Sequence, residues 1–400
     1  MIGISKLYCG TVEPSDPLRY GRLSRRLPSH LLQFSRDKKP VVVWNATRQC
    51  NLHCVHCYSK SHARAKEDEL STTEGKALID DLAKFGCPVL LLSGGEPLMR
   101  GDLMEVARYA TSKGLRVVLS TNGTLIDKET AEELHQIGLS YVGISLDGLR
   151  DYHDRFRGVA GAFDSAMAAV RHCREIGLKV GLRLTIHKGN AAQIPSIFDL
   201  VEEERIPRIC FYHLVYAGRG SKLVEEDLNH EETRAVLDLI MDRTKALHSR
   251  GHRVEVLTVD NHADGPYLYL RLRREDSERA KEVLELLRMN QGNSSGHGIG
   301  CVSWNGDVHA DQFWRHLSFG NVRQRAFTEI WTDPSIALLQ ALKDKRPHLK
   351  GRCAGCQWLG LCGGNFRVRA EAVTGDLWAA DPACYLTDEE IGNPEKERSE

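Results

Sequence analysis

Seven of the chain's twelve cysteines fall into two groups. Cys50-Asn-Leu-His-Cys54-Val-His-Cys57 packs three of them into one short stretch. Cys353-Ala-Gly-Cys356-Gln-Trp-Leu-Gly-Leu-Cys362, with Cys384 further on, supplies four more. Clustered thiols in a chain without secretory features point to metal or redox chemistry rather than to disulfides. Three thiolates this close can hold three irons of a cubane cluster and leave the fourth iron open to a substrate. The same three thiolates, with His53, His56 or His62 as a fourth ligand, can instead hold zinc, or they can stand as unpaired structural thiols. For the second group, four ligands complete a closed site, and spacing alone leaves a zinc ribbon and an iron–sulfur cluster equally open. Cys9, Cys87, Cys173, Cys210 and Cys301 stand apart. Lone cysteines belong by default in the core, with Cys301 left open as a further ligand.

Such thiols need a scaffold, and residues 40–215 supply a rhythm of helix, glycine and apolar strand. Ser71-Thr-Thr-Glu74 reads as a capping box that opens a helix, and Gly86 stands where that helix should end. Later helices end at Gly114, Gly138 and Gly177. The strands expected are Val41–Trp44, Val89–Leu92, Leu115–Leu119, Tyr141–Ile144, Leu178–Ile186 and Arg208–Tyr212. Apolar strands alternating with helices imply a parallel sheet covered on its outer face. About six βα units suit an α/β barrel, complete or partial, with a doubly wound open sheet as the competing topology. In either fold the chemistry sits at the C-terminal ends of the strands. The motifs fall there: Asn45 to Cys57, Ser93-Gly-Gly-Glu-Pro97, Ser120-Thr-Asn-Gly123 and Ser145-Leu-Asp-Gly148.

The remaining stretches are plainer. Residues 216–296 read as charged and mostly helical, with a strand candidate at Arg253 to Val259 and a Gly/Ser/Asn-rich loop from Gln291 to Gly300. Residues 297–388 are loop-rich around the second cysteine group and are expected to depend on metal for stability. The tail after Asp388 is charged and expected to be disordered. No element is assigned to residues 1–39. Lys plus Arg and Asp plus Glu are 54 each, so the formal net charge is zero. That balance argues against a general nucleic-acid or membrane-surface binder. No apolar run approaches the length of a membrane span and no secretory signal is evident, so a cytoplasmic location is expected.

Taken together, these motifs resemble the radical S-adenosylmethionine superfamily over roughly residues 36–215. The resemblance implies a partial (βα)6 radical SAM barrel, a [4Fe–4S] cluster on Cys50, Cys54 and Cys57, and S-adenosylmethionine as cofactor. It places His56 near the adenine, and Gly94, Gly95, Glu96 and Pro97 at the methionine amino group, where Glu96 can accept from an ammonium. It places Ser120, Asn122, Ser145 and Asp147 along the ribose and methionine. Catalysis would then begin with one-electron cleavage of the sulfonium to a 5′-deoxyadenosyl radical, which takes hydrogen from the substrate.

Cys-x2-Cys-x5-Cys followed by a distant cysteine resembles the SPASM or twitch extension of such enzymes. It implies one auxiliary [4Fe–4S] cluster on Cys353, Cys356, Cys362 and Cys384, because Phe366 stands where a further ligand of a full SPASM domain would fall. The chain accordingly divides into an N-terminal segment (1–35), the barrel (36–262), a helical linker and loop (263–296), the auxiliary-cluster domain (297–389) and a charged tail (390–400).

Four further segments resemble radical enzymes of alternative haem and haem d1 biosynthesis: Lys6-Leu-Tyr-Cys-Gly10, Leu27-Pro-Ser-His-Leu-Leu32, His213-Leu-Val-Tyr-Ala-Gly-Arg-Gly220 and Gly306-Asp-Val-His-Ala-Asp-Gln-Phe-Trp314. Ala310 departs from the proline expected there. This resemblance implies an iron tetrapyrrole substrate, an electron donor such as ferredoxin or flavodoxin, and removal of the two acetates of 12,18-didecarboxysirohaem to give Fe-coproporphyrin III. Removal of propionates towards haem d1, or maturation of a peptide, are the alternatives. Arg19, Arg22, Arg219 and Arg315 are the candidate carboxylate clamps for that substrate. His213 and His309 are candidates for iron or propionate contact.

Overall fold

The computed structural model describes residues 1–11, 39–64 and 68–392. Ten strands form one sheet in the order β1-β8-β7-β6-β5-β4-β3-β2-β9-β10. The strands are β1 (Ile2–Gly3), β2 (Val41–Thr47), β3 (Val89–Gly94), β4 (Arg116–Thr121), β5 (Tyr141–Ser145), β6 (Val180–Ile186), β7 (Arg208–His213), β8 (Glu255–Val259), β9 (Ile299–Val302) and β10 (Val308–His309). From β2 to β8 every neighbouring pair is parallel and follows chain order. A doubly wound sheet reverses its strand order at a switch point. Within β2–β8 no reversal occurs, the order of an incomplete barrel. The strand candidate near residue 253 is β8, a seventh parallel member.

Side-chain alternation divides each strand between two environments. On β2, Val42 and Trp44 face outward into the main apolar core, while Val41 and Val43 face the barrel lumen. The outer face is covered by helices α1 (Thr72–Phe85), α2 (Leu103–Ser112), α3 (Lys128–Ile137), α4 (Arg150–Arg157), α5 (Ala162–Glu175) and α6 (Ile194–Glu203). Helix α1 opens with the expected capping box at Ser71 and closes on left-handed Gly86. Gly138 and Gly177 take the same left-handed turn after their helices, a conformation that costs glycine no Cβ clash.

Helices α7 (His230–Ser249), α8 (Asp264–Glu275) and α9 (Ser277–Asn290) fill the region expected to be helical. The C-terminal segment then returns to the barrel. Strand β9 pairs in parallel with β2, and β10 pairs antiparallel with β9. At the other edge, β1 pairs antiparallel with β8. Two expectations need correction. Residues 2–3, given no element from sequence, form the edge strand β1. Asp388–Ile391, placed at the start of a disordered tail, forms a helical turn capped by Thr387, and Trp358 donates its indole N–H to the Glu390 carbonyl at 2.7 Å. Among the described residues, no helix is long and apolar enough to cross a membrane.

Candidate active site

The loop after β2 carries Cys50, Cys54 and Cys57, and the Gly-Gly-Glu turn after β3 holds its first residues. Gly95 N–H donates to Thr47 O at 2.8 Å, and Glu96 N–H donates to Gln49 O at 2.7 Å. A Cβ on Gly94 would lie 2.3 Å from Thr47 O, and one on Gly95 would lie 2.1 Å from Gln49 O. Only glycine permits that approach, and Gly94 also has φ of 127°. From the other side, Cys50 N–H donates to His62 O at 2.8 Å.

The three cysteines line a cavity of about 330 Å³ in the barrel lumen, together with His56, Gly94, Gly95, Ser120, Asn122, Ser145 and His213. Donors surround their sulfurs. Leu52 N–H reaches Cys50 Sγ at 3.4 Å, Arg157 reaches Cys54 Sγ at 3.5 Å, and the Ser61 hydroxyl lies 3.3 Å from Cys57 Sγ. Burial pushes the Cys50 thiol up to about 11 and raises Cys54 as well. Buried thiols this close become thiolates when a metal replaces their protons. This donor set fits an iron–sulfur group that takes three protein ligands.

Three residues of the resemblance stand behind the cavity wall rather than on it. Glu96 is fully buried, and its carboxylate accepts from Thr121 Oγ1 at 2.7 Å, Asn122 N–H at 2.7 Å and Leu98 N–H at 3.1 Å. Through these bonds Glu96 holds the Thr121 hydroxyl and the Asn122 and Leu98 backbone in place. Pro97 begins the short turn after it and is likewise absent from the lining. Asp147 is also fully buried. It pairs with Arg157 at 2.6 Å, lies 3.6 Å from His56 Nε2, and accepts from Thr185 N–H at 3.0 Å. Burial alone would raise the Asp147 carboxyl, but Arg157 and then His56 outweigh it and hold it at about 2. Burial pushes His56 down to about 4, so the ring is neutral at pH 7, and it stacks on Phe156 at 4.7 Å.

The substrate candidates sort differently. Arg219 donates to Cys54 O at 2.8 Å and to Ser61 O at 3.0 Å. Arg315 donates to Tyr58 O at 3.3 Å and to Ser59 O, and its guanidinium lies over Trp304. Both staple the cysteine loop through its carbonyls, and neither lines the lumen cavity. His309 is bonded through both ring nitrogens, to Ser303 at 2.9 Å and to Leu317 O at 2.7 Å, so it offers no nitrogen to an iron. His213 does line the cavity. Its Nε2 lies 2.9 Å from Asp264, whose other oxygen accepts from Tyr385. Asp264 outweighs burial and holds His213 above its ordinary value. Arg19 and Arg22 lie outside the described residues.

Sequence reasoning missed Arg157 and Arg183, both of which line the cavity. Arg157 follows no motif. Arg183 had a legible signal: a charge in the middle of the apolar strand Val-Gly-Leu-Arg-Leu-Thr-Ile.

The second cysteine group is assembled from three pieces of chain. Cys353 ends a short turn, Cys356 Sγ accepts from Trp358 N–H at 3.4 Å, and Cys362 ends a helical turn whose carbonyl accepts from Asn293 N–H at 2.9 Å. Cys384 is close enough to perturb Cys362 electrostatically, as are Cys353 and Cys356, although no three of these thiols converge on one point as a single ion would require. Burial raises Cys362 strongly and Cys384 to about 11. Cys301 sits elsewhere. It is buried on β9, where Asn45 donates to it at 3.4 Å, so it belongs to the barrel interior. Cys87, Cys173 and Cys210 are core residues as expected, and Cys9 is half-buried.

Residues 44–201 match the Radical SAM superfamily, and residues 297–357 match the SPASM iron–sulfur cluster-binding domain. The chain belongs to the radical SAM superfamily and is a radical S-adenosylmethionine enzyme with a SPASM extension, and its cofactors are S-adenosylmethionine and [4Fe–4S] clusters. This membership, rather than cysteine spacing, decides between zinc and iron–sulfur. The chain is 68% identical over 395 residues to the Fe-coproporphyrin III synthase of Methanosarcina barkeri (strain Fusaro / DSM 804), covering 98% of this chain and 99% of that protein. It is 43% identical over 357 residues to the pre-heme d1 synthase of Dinoroseobacter shibae, covering 88% of each. Among solved structures, SuiB of Streptococcus suis bound to S-adenosylmethionine shares the fold with a TM-score of 0.69 at 18% identity, over 87% of this chain and 78% of that one.

Proposed function

We propose that this enzyme removes the two acetate side chains of 12,18-didecarboxysirohaem to give Fe-coproporphyrin III. The observation that carries the reading is 68% identity, end to end, to a protein named for that product. The lower identity to the pre-heme d1 synthase ranks propionate removal second. Cys50, Cys54 and Cys57 hold the catalytic cluster, and Cys353, Cys356, Cys362 and Cys384 hold the auxiliary one. When bound, the catalytic cluster and S-adenosylmethionine supply the one-electron cleavage that makes a carbon radical.

The chain's own residues then have distinct tasks. Gly94 and Gly95 bring backbone to the cofactor's methionine end, while Glu96 behind them fixes the turn that carries Asn122. Ser120, Asn122 and Ser145 offer polar contacts along the cofactor, and neutral His56, backed by Asp147 and stacked on Phe156, offers a flat face to an adenine. His213 presents a hydrogen-bonded imidazole to the substrate side of the cavity. Reduction comes from a small carrier such as ferredoxin or flavodoxin, and the setting is the cytoplasm.

Anaerobic incubation of the reconstituted enzyme with dithionite, S-adenosylmethionine and 12,18-didecarboxysirohaem should yield Fe-coproporphyrin III by mass, with deoxyadenosine formed alongside. Loss of propionate mass instead would reassign the enzyme to haem d1 chemistry. Deoxyadenosine without any change in the tetrapyrrole would remove the tetrapyrrole reading.

A further inference from the structure

Among the arginines buried against the barrel, Arg157 and Arg208 each face a carboxylate. Arg157 pairs with Asp147 at 2.6 Å, and Arg208 lies 3.5 Å from Glu255. Arg183, in the middle of β6, is different. Its guanidinium donates to Ser120 Oγ at 2.5 Å, and no carboxylate lies within ion-pair distance among the described residues; its Nε, like those of Arg157 and Arg208, is buried without a hydrogen-bond partner. The guanidinium lines the lumen cavity and sits 5.9 Å from the centre of the Tyr212 ring.

The strand beside it makes room. Gly143 on β5 faces the Arg183 side chain, and a Cβ there would lie 2.4 Å from Arg183 Nε. A guanidinium carries five donors in a planar fork. Holding one in a barrel interior with a single serine bond costs free energy unless an anion arrives to complete it. The planar fork matches a carboxylate through two parallel bonds.

We propose that Arg183 is the residue that recognises a carboxylate side chain of the substrate inside the barrel. The proposal rests on the tetrapyrrole reading above, and it replaces Arg219 and Arg315, which bond loop carbonyls and do not line the lumen cavity. The carboxylates of such a macrocycle are carried on side chains at its rim, so the part that meets Arg183 is a side-chain-bearing edge. The cofactor's methionine carboxylate is the other anion of the same chemistry. Arg157, bonded to Cys54 Sγ, lies on the cluster side of the cavity, and the titrations below tell the two anions apart.

The test uses reconstituted anaerobic enzyme, wild type and the variants Arg183→Met and Arg183→Lys. Three titrations are run on each: the iron tetrapyrrole followed by its absorbance, the methyl ester of the same tetrapyrrole, and S-adenosylmethionine. Arg183→Met should weaken binding of the free acid about 10- to 100-fold, the usual worth of a lost charge-assisted pair. Arg183→Lys should restore part of that loss. The ester should bind wild type and variant alike, and affinity for S-adenosylmethionine should be unchanged. Weaker S-adenosylmethionine binding with unaltered tetrapyrrole binding would overturn the proposal in favour of the methionine carboxylate. Equal losses for acid and ester would reduce Arg183 to packing. A wild-type enzyme that binds no iron tetrapyrrole would instead overturn the proposed function itself, and the two failures are therefore distinguishable.

Discussion

Substituting Gly95 by alanine tests how the cysteine loop is positioned. The added Cβ would lie 2.1 Å from Gln49 O, 2.7 Å from Gln49 C and 2.9 Å from Arg48 C. All three are backbone atoms, so no side chain can rotate away. Restoring even a 3.0 Å contact requires the two segments to part by about 0.9 Å. The loop cannot yield freely on its far side, because Cys50 N–H is bonded to His62 O and His62 N–H to Arg48 O. Parting strains the bonds Gly95 N–H to Thr47 O and Glu96 N–H to Gln49 O. Overpacking costs about 1–3 kcal/mol and each of the two bonds about 1 kcal/mol, which puts the loss at roughly 3–5 kcal/mol. The displacement falls on the residue before Cys50. The urea midpoint should therefore drop, and iron retained after anaerobic reconstitution should drop with it, together with deoxyadenosine formation. Gly101→Ala is the control, since nothing lies within 4 Å of its Cβ and its φ is not left-handed. If Gly95→Ala kept its iron and stayed within about 0.5 kcal/mol of wild type, the account of the glycine pair as a seat for the cysteine loop would be wrong.

Two more perturbations separate neighbouring roles. Arg219→Met removes two bonds to loop carbonyls, so it should lower iron content and speed cluster loss on dilution, while tetrapyrrole affinity of the fully loaded fraction stays at wild type; a selective fall in that affinity would return Arg219 to the clamp role. His153 is held neutral, with burial and then Arg157 pushing it down to about 4, and its Nδ1 accepts from Asp147 N–H at 3.1 Å. Below pH 6.5 the unfolded chain takes up a proton that the folded site refuses until about pH 4, so stability should fall by roughly 3 kcal/mol across that window as pH drops. His153→Asn keeps an acceptor without the titration, and urea denaturation at pH 7 and pH 5 should show a smaller pH difference than wild type; an unchanged difference would refute the assignment.

The cysteine groups, the glycine stops and the parallel strands could be read from the chain because each depends on local chemistry. A thiol triplet is compact in sequence, a left-handed helix end needs glycine within a residue or two, and a strand covered on its outer face is apolar along its own length. The spacing of Cys353, Cys356 and Cys362 marked a metal site in the same way, but it left zinc and iron–sulfur equally open, and the SPASM assignment came from the resemblance and the family match. What could not be read was that β9 joins the barrel sheet beside β2, because strand pairing across more than two hundred residues leaves no mark on either partner.

The arginines show where local reading stops. Arg219, Arg315 and Arg183 carry the same planar fork, and nothing near any of them in sequence tells a carbonyl staple from an anion receptor. Arg219 is committed by Cys54 and Ser61, Arg315 by Tyr58 and Ser59, all from a loop remote in the chain. Arg183 is released by what the fold withholds: no carboxylate in ion-pair reach among the described residues, and a glycine on β5 where a side chain would have filled its space. Glu96 followed the same rule, since its type suggested an ammonium partner while the turn after β4 donates to its carboxylate. Residue type determines what a group can bind, but which partner it meets depends on desolvated neighbours that only the folded chain brings within hydrogen-bonding distance.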